Sequence, residues 1–164
     1  MVKKETSFEL LLALAIIARP LIKWLLPGLA SVEPIIPLAI IAGILYGAQK
    51  GAIVGAAGYI GSNILLMSIG SWTIPQAIGG MIAGILPALF AKKKHSGTDL
   101  VLYAVLATVI FEILINIWGG GFEISYFIES ISFGMVHIVS NAFFAVLLSG
   151  MLPAEKAEKK QENG

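Results

Sequence analysis

Six long apolar stretches, separated by short polar or glycine-rich segments, constrain the fold of this chain more than any other feature. Hydrophobic residues make up 57% of the 164 residues and charged residues only 13%. A helix built from such a stretch can cross about 30 Å of hydrocarbon. The stretches are Phe8–Leu26, Ile35–Ala48, Gly51–Ser68, Gln76–Ala91, Leu100–Trp118 and Tyr126–Leu152. The sequence therefore predicts an all-α polytopic membrane protein, a bundle of six transmembrane helices.

The basic residues sort to one side of this predicted bundle. Of the 11 lysines and arginines, all but two lie before the first stretch, after the last, or between stretches two and three or four and five. These are Lys3, Lys4, Lys50, Lys92, Lys93, Lys94, Lys156, Lys159 and Lys160. If the helices alternate in direction, all of these lysines share a face, which the positive-inside rule makes cytoplasmic. We expect both termini in the cytoplasm and a multi-pass location in the plasma membrane of a prokaryote.

Composition and missing motifs narrow the domain organisation and the function. Residues 1–152 are predicted to form one transmembrane domain, and residues 153–164 a short, charged, disordered cytoplasmic tail. The chain has no cysteine, which excludes disulfides and thiolate chemistry. No catalytic or nucleotide-binding motif occurs, and no basic cluster has the interleaved aromatics of a nucleic-acid surface. We expect a non-enzyme without cofactor, metal or nucleic-acid partner, surrounded by membrane lipid.

Polar side chains inside the last two stretches mark the candidate binding site, because buried ionisable groups in membranes are costly. Glu112 and Asn116 share a face of stretch five. In stretch six, Glu129, Phe133, His137 and Ser140 fall within about 80° on a helical wheel, and Asn141 lies beside them. We predict that these residues line a pocket in the outer half of the bundle. The predicted aromatic cap consists of Trp72, Trp118 and Tyr126.

Each of these polar residues also has a plain structural interpretation. Glu129 could lie at the water interface, Glu112 could have a purely structural role, and His137 could be a satisfied core histidine. Two cations inside stretch one, Arg19 and Lys23, are expected to extend toward the outer surface, where they could pair with Glu33. The polar residues of stretches five and six all lie in the outer half of the predicted bundle. This shared placement favours a binding site over separate structural roles.

Small residues recur at four-residue spacing in stretches two, three and four. The sets are Ala39, Gly43 and Gly47; Gly51, Gly55, Gly58 and Ser62; and Gln76, Gly80 and Gly84. Lipid supplies no hydrophobic force between helices, so association depends on close backbone packing at such residues. Two interpretations are compatible: packing within the chain, or a surface that docks or slides against another membrane subunit.

Two segments carry a resemblance to a known family. The stretch 37–55, PLAIIAGILYGAQKGAIVG, and the stretch 72–84, WTIPQAIGGMIAG, resemble the substrate-binding S components of energy-coupling factor (ECF) vitamin transporters. The likeness covers stretches two to four by motif and the whole chain by size, span number and termini. It implies a small membrane protein that captures a vitamin-like micronutrient from outside. It would then associate with a transmembrane coupling subunit and two ATPase subunits.

The resemblance also implies where the ligand and the coupling subunit bind. Pockets in this family are built from the outer ends of the later helices and the first outer loop, which adds Glu33 as a ligand contact. The expected docking residues are Ala15, Ala18, Gly43, Gly47, Gly51 and Gly55. Many members dock through an Ala-x-x-x-Ala motif in the first helix, and Ala13, Ala15 and Ala18 do not make that spacing. Docking through stretch one is therefore in question.

Acidic residues near the pocket favour a ligand with a positive charge or several N–H donors, such as a thiamine-like compound or a modified base. The alternative function is a self-contained small channel or secondary transporter that acts as an oligomer and needs no ATPase. A membrane enzyme or a chaperone-like scaffold is disfavoured by the missing catalytic groups.

Overall fold

The computed structural model describes residues 6–29, 31–90 and 94–153 and is all-helical over these ranges, with 82% helix and no strand. It contains six α-helices: α1 Phe8–Leu25, α2 Ile35–Tyr46, α3 Ala48–Leu65, α4 Thr73–Ile85, α5 Gly97–Gly120 and α6 Ile124–Leu148. Short 3₁₀ turns, Leu86–Phe90 and Ser149–Met151, extend α4 and α6. Each predicted stretch thus corresponds to one helix, and the all-helical prediction is confirmed. The two lysines Lys92 and Lys93 and the tail from residue 154 lie outside the described residues.

Local chemistry explains where several of the helices begin and end. The Ser7 hydroxyl accepts the Leu10 N–H at 3.2 Å and caps α1. Ser96 and Asp99 form a reciprocal capping box at the start of α5, which satisfies two backbone donors at once. A single residue, Gly47, joins α2 to α3 with φ 89° and ψ 164°, a conformation open essentially to glycine alone. The chain can therefore reverse direction without a loop.

The shortest helix, α2, lies at the centre of the bundle. Every residue from Ile35 to Gly43 is buried, and α2 contacts α1, α3, α4, α5 and α6. A helix that is apolar all round belongs in an interior, which accounts for its uninterrupted run of Ile, Leu and Ala. The helices around it bury both apolar and polar side chains, and they also expose large apolar side chains on the outside.

Glycines bring α2, α3 and α4 into backbone contact. A Cβ on Gly55 would lie 1.9 Å from the Gly80 carbonyl oxygen, and one on Gly43 would lie 2.1 Å from that of Gly84. The same Gly84 oxygen would lie 2.3 Å from a Cβ on Gly51. No side chain fits at such distances, so these stripes pack within the chain. Their pairing also shows that α4 runs antiparallel to α3.

This packing corrects the assignment of several predicted docking residues. Gly43, Gly51 and Gly55 face other helices of the same chain, and the fully buried Ala15 lies against Gly58. They cannot also offer a surface to a second subunit in this arrangement. Of the predicted docking set, only the half-buried Ala18 and the exposed Gly47 remain open.

Among the residues that the structure describes, three helical segments are long and apolar enough to cross a membrane: Thr73–Phe90, Gly97–Gly120 and Ile124–Met151. The 12-residue α2 is about 18 Å long at 1.5 Å per residue, less than the thickness of a hydrocarbon core. Large apolar side chains are exposed along α1, α3, α4, α5 and α6. Apolar patches of this extent are typical of membrane or protein contact surfaces. The fold is therefore compatible with a membrane-embedded protein.

Candidate ligand-binding site

A buried network of charged and polar side chains begins at Arg19 of α1. Its Nε lies 2.6 Å from Glu33 Oε2, and its Nη1 donates to Ser62 Oγ at 3.0 Å and Asn63 Oδ1 at 2.6 Å. The side chain is only 10% exposed. The sequence-based pairing with Glu33 is confirmed for Arg19. Its side chain, however, turns into the bundle instead of extending outward, because buried acceptors on α3 and on the segment before α2 surround it.

Glu33 connects the segment after α1 to α6. Its backbone N–H donates to Ser140 Oγ at 3.3 Å, and its Oε1 lies 3.4 Å from His137 Nε2. Burial by itself raises the pKa of the Glu33 carboxyl, but the Arg19 guanidinium and the His137 imidazole outweigh it. Together they lower that pKa from 4.5 to about 2. The carboxylate is therefore ionised at neutral pH although it is only 4% exposed.

His137 joins this ion pair to Glu112 on α5. Its Nδ1 lies 2.6 Å from Glu112 Oε1, while its Nε2 faces Glu33. Along Arg19, Glu33, His137 and Glu112, each side chain lies within 3.4 Å of the next. Four ionisable side chains from α1, the α1–α2 segment, α6 and α5 thus form one continuous line across the bundle.

A polar branch extends from Arg19 to the start of α4. Asn63 Nδ2 donates to Gln76 Oε1 at 2.7 Å and to Thr73 Oγ1 at 3.1 Å. The sequence analysis missed this branch, although Gln76 had been placed in a small-residue stripe. The available signal was the position of Asn63 and Gln76 as amides inside apolar stretches, next to the buried glycine contacts. Their role here is to fix Arg19 and the α3–α4 ends.

Beside this network, α5 and α6 enclose a groove of about 220 Å³. Its polar lining consists of Glu112, Asn116 and Ser130, and its other lining residues are apolar apart from Gly134. Asn116 Nδ2 donates to the Glu112 carbonyl at 2.7 Å, and Ser130 Oγ donates to the Phe127 carbonyl at 3.0 Å. The Ser130 hydroxyl and one of the two Asn116 N–H groups are therefore used as donors, and the groove presents the oxygen acceptors of Glu112, Asn116 and Ser130 together with one Asn116 N–H.

The structure brings some of the predicted site residues together and separates others. Glu33, Glu112, Asn116 and His137 lie in the network or the groove. Asn141 is fully buried beside them, with Nδ2 donating to the His137 carbonyl at 3.1 Å. Glu129 is exposed and takes no part in either. The predicted common face of α6 thus holds for His137 and Ser140 but does not bring Glu129 into the site.

The predicted aromatic cap lies apart from the groove. Trp72 is 49% exposed with its indole N–H donating to the Ser68 carbonyl, and Trp118 is 51% exposed. Tyr126 packs over Gly119 and Gly120 at the end of α5. The aromatic residue that lines the groove is Phe127, one position beyond Tyr126. A rotation of about 100° per helical residue separates two such neighbours.

Glu112 belongs both to the buried network and to the lining of the groove. Over the described ranges, no group of three His, Asp or Glu side chains is placed to hold a metal ion. Oε1 of Glu112 lies 2.6 Å from His137 Nδ1, and the side chain, which is 19% exposed, also lines the groove. No family model, curated protein or solved structure matches this chain.

Proposed function

We propose that this protein is a six-helix membrane subunit that binds a small, vitamin-like molecule from outside the cell. It would deliver the molecule through association with a transmembrane coupling subunit and two ATPases, as an ECF-type S component does. The observation that carries the proposal is Glu112. It is held in position by His137 and the Arg19–Glu33 pair, and it lines a groove. A carboxylate so deep in an apolar bundle is expensive and is expected to serve a function.

Aromatic side chains mark one interface of the proposed membrane bundle, and the lysines assign its orientation. All three tryptophans of the chain, Trp24, Trp72 and Trp118, lie at the end of the bundle where α1, α3 and α5 finish, and each is about half exposed or more. Tryptophan is enriched at membrane–water interfaces. Lys50 and Lys94 lie at the opposite end. The proposed outer end is therefore the one nearer to Glu33 and Asn116.

Docking to a coupling subunit would use a surface other than the buried glycines. Such a surface must lie among the apolar side chains that α1 and the other peripheral helices expose. The proposal therefore keeps the coupling subunit as a partner but withdraws Gly43, Gly51 and Gly55 as its contacts.

Mass spectrometry of small molecules that copurify with the detergent-extracted protein tests the binding function. Wild type should retain a stoichiometric compound, and Glu112→Gln should lose it. Glu9→Gln, the same chemical change at an exposed position of α1, should retain it. Co-expression with an ECF coupling subunit and its ATPases should yield a complex. A well-folded protein with no bound compound and no such complex would contradict the proposal.

A second function is favoured by one observation. The line of ionisable groups from Arg19 to Glu112 resembles the relays through which transporters move protons. A proton-coupled secondary transporter would import its substrate in proteoliposomes with an imposed pH gradient and no ATPase. Uptake under those conditions would support this alternative, and strict dependence on the ATPase module would support the S component.

A further inference from the structure

The groove between α5 and α6 opens along the sides of the helices, not at their ends. Its lining residues Val109, Ile113, Ile131 and Met135 are also exposed, by 37%, 46%, 57% and 59%. Met135 comes eleven residues after Ile124, the first residue of α6, or about 17 Å along the axis at 1.5 Å per residue. In a membrane, a mouth at this height faces hydrocarbon.

Glu112 is the one ionisable residue among those that line the groove, and the space beside it is open to a ligand. A Cβ placed on Gly134 would lie 3.5 Å from Glu112 Oε2. Glycine at this position therefore leaves the space in front of the carboxylate open. Glu112 Oε1 is engaged by His137 at 2.6 Å, so the orientation of the carboxylate is fixed while Oε2 retains its capacity to accept hydrogen bonds.

We propose that this groove binds a compact, mostly apolar molecule with an amine head, which reaches Glu112 laterally from the bilayer. This inference rests on the proposed function, a membrane-embedded binding protein, and adds the class of its ligand and the path by which the ligand enters. An ammonium group supplies N–H donors to the oxygen acceptors of the groove. Charge-assisted hydrogen bonds of this kind are stronger than neutral ones. The apolar body replaces lipid against Ile113, Ile131 and Met135.

Three probes with one apolar body and different heads test the ligand class: 4-phenylbutylamine, 4-phenylbutanol and 4-phenylbutyrate. They are titrated by calorimetry into the full chain in lipid nanodiscs, with empty nanodiscs correcting for partitioning. We expect saturable binding of the amine at one site, at least tenfold tighter than binding of the alcohol or the acid. Equal affinity for the three heads would overturn the proposal.

Variants locate this preference at the groove. Glu112→Gln should remove the preference for the amine, whereas Glu129→Gln, the same change at an exposed site of α6, should leave it intact. Gly134→Leu should weaken binding of all three probes by filling the space before Glu112, and Gly134→Ala, with an ordinary contact, should fold and bind. An undiminished amine preference in Glu112→Gln would place the site elsewhere and overturn the assignment.

Single cysteines test the lateral path, since the chain contains none of its own. Met135→Cys should react with the lipophilic N-phenylmaleimide and be blocked by 4-phenylbutylamine, but it should resist a charged, membrane-impermeant maleimide. Ser71→Cys, in the segment between α3 and α4, should react with both reagents. If the charged reagent labels the two sites equally fast, the groove opens to water and lateral access is wrong.

These titrations need neither the natural ligand nor a coupling subunit, so the two proposals fail separately. A protein that selects the amine yet never associates with an ATPase module retains this inference and loses the proposed function. A protein that copurifies with a micronutrient but binds the three probes equally loses this inference alone.

Discussion

Replacing Arg19 by methionine gives the most direct test of the buried network. The substitution keeps an unbranched side chain of similar length in α1 and removes the charge. It eliminates the 2.6 Å ion pair with Glu33 and the hydrogen bonds to Ser62 and Asn63. The ionised Glu33 is then left in a bundle where it is only 4% exposed.

The expected cost follows from that uncompensated carboxylate. Removing one partner of a buried ion pair destabilises a fold by about 3–5 kcal/mol. His137, 3.4 Å from Glu33 Oε1, still provides some compensation, so the lower part of this range is expected. At about 1.4 kcal/mol per factor of ten, 3 kcal/mol lowers the folding equilibrium constant by roughly a hundredfold.

Equilibrium unfolding in mixed micelles, followed by circular dichroism, measures this loss of free energy. Lys23→Met is the matched control, because Lys23 lies one turn further along α1 and is half-buried. It should change the free energy of unfolding by less than about 1 kcal/mol. The double variant Arg19→Met/Glu33→Gln removes both charges and should be more stable than Arg19→Met alone. Equal effects of Arg19→Met and Lys23→Met, or a double variant no better than Arg19→Met, would refute the reasoning.

Three further predictions concern acid stability, helix packing and topology. The Glu33 pKa is lowered to about 2, so the stabilisation of the fold by this carboxylate is complete above about pH 4.5 and is lost as the pH falls toward 2. Glu33→Gln should flatten that part of the plot of unfolding free energy against pH. An unchanged plot would contradict the assignment. Gly55→Leu should destabilise the α3–α4 contact by about 1–3 kcal/mol or more, whereas Gly150→Leu, where a Cβ meets nothing within 4 Å, should be tolerated; equal thermal stability of the two variants would argue against backbone packing. In intact cells, Ser71→Cys should label with impermeant maleimide and Lys93→Cys should not, and the reverse pattern would invert the proposed orientation.

Helix positions could be predicted from the sequence because apolar length and helix breakers are local signals. Each stretch produced one helix, and Pro27-Gly28 and Gly121 lie just beyond the ends of α1 and α5. The central position of α2 was not predicted, although its uniform apolar surface was a usable signal. Its end was predicted at Ala48, two residues beyond Tyr46 where α2 ends, because the apolar stretch continues past Gly47, where the chain turns. A single glycine with positive φ leaves no trace in hydropathy.

Part of the candidate site could be predicted from local sequence signals. These signals are polar residues inside apolar runs, namely Glu112, Asn116 and His137, and a helical wheel gives the helix face on which each one lies. Partners across helices are not encoded in this way. The inward turn of Arg19 depends on Ser62 and Asn63 of α3, 43 and 44 positions away in the chain. Glu129 lies within about 80° of His137 on the helical wheel, but it is two turns nearer the exposed start of α6 and is itself exposed.

The position of Glu112 at the end of the line of ionisable groups distinguishes it from the other three. Arg19, Glu33 and His137 are each at most 8% exposed and are enclosed by other side chains of the bundle. Glu112 also contacts His137 through one oxygen, but it alone of the four lines the groove. A ligand donor that binds Glu112 there would share this carboxylate with His137. The contacts of His137 with Glu112 and Glu33 link the groove to the segment that joins α1 to α2.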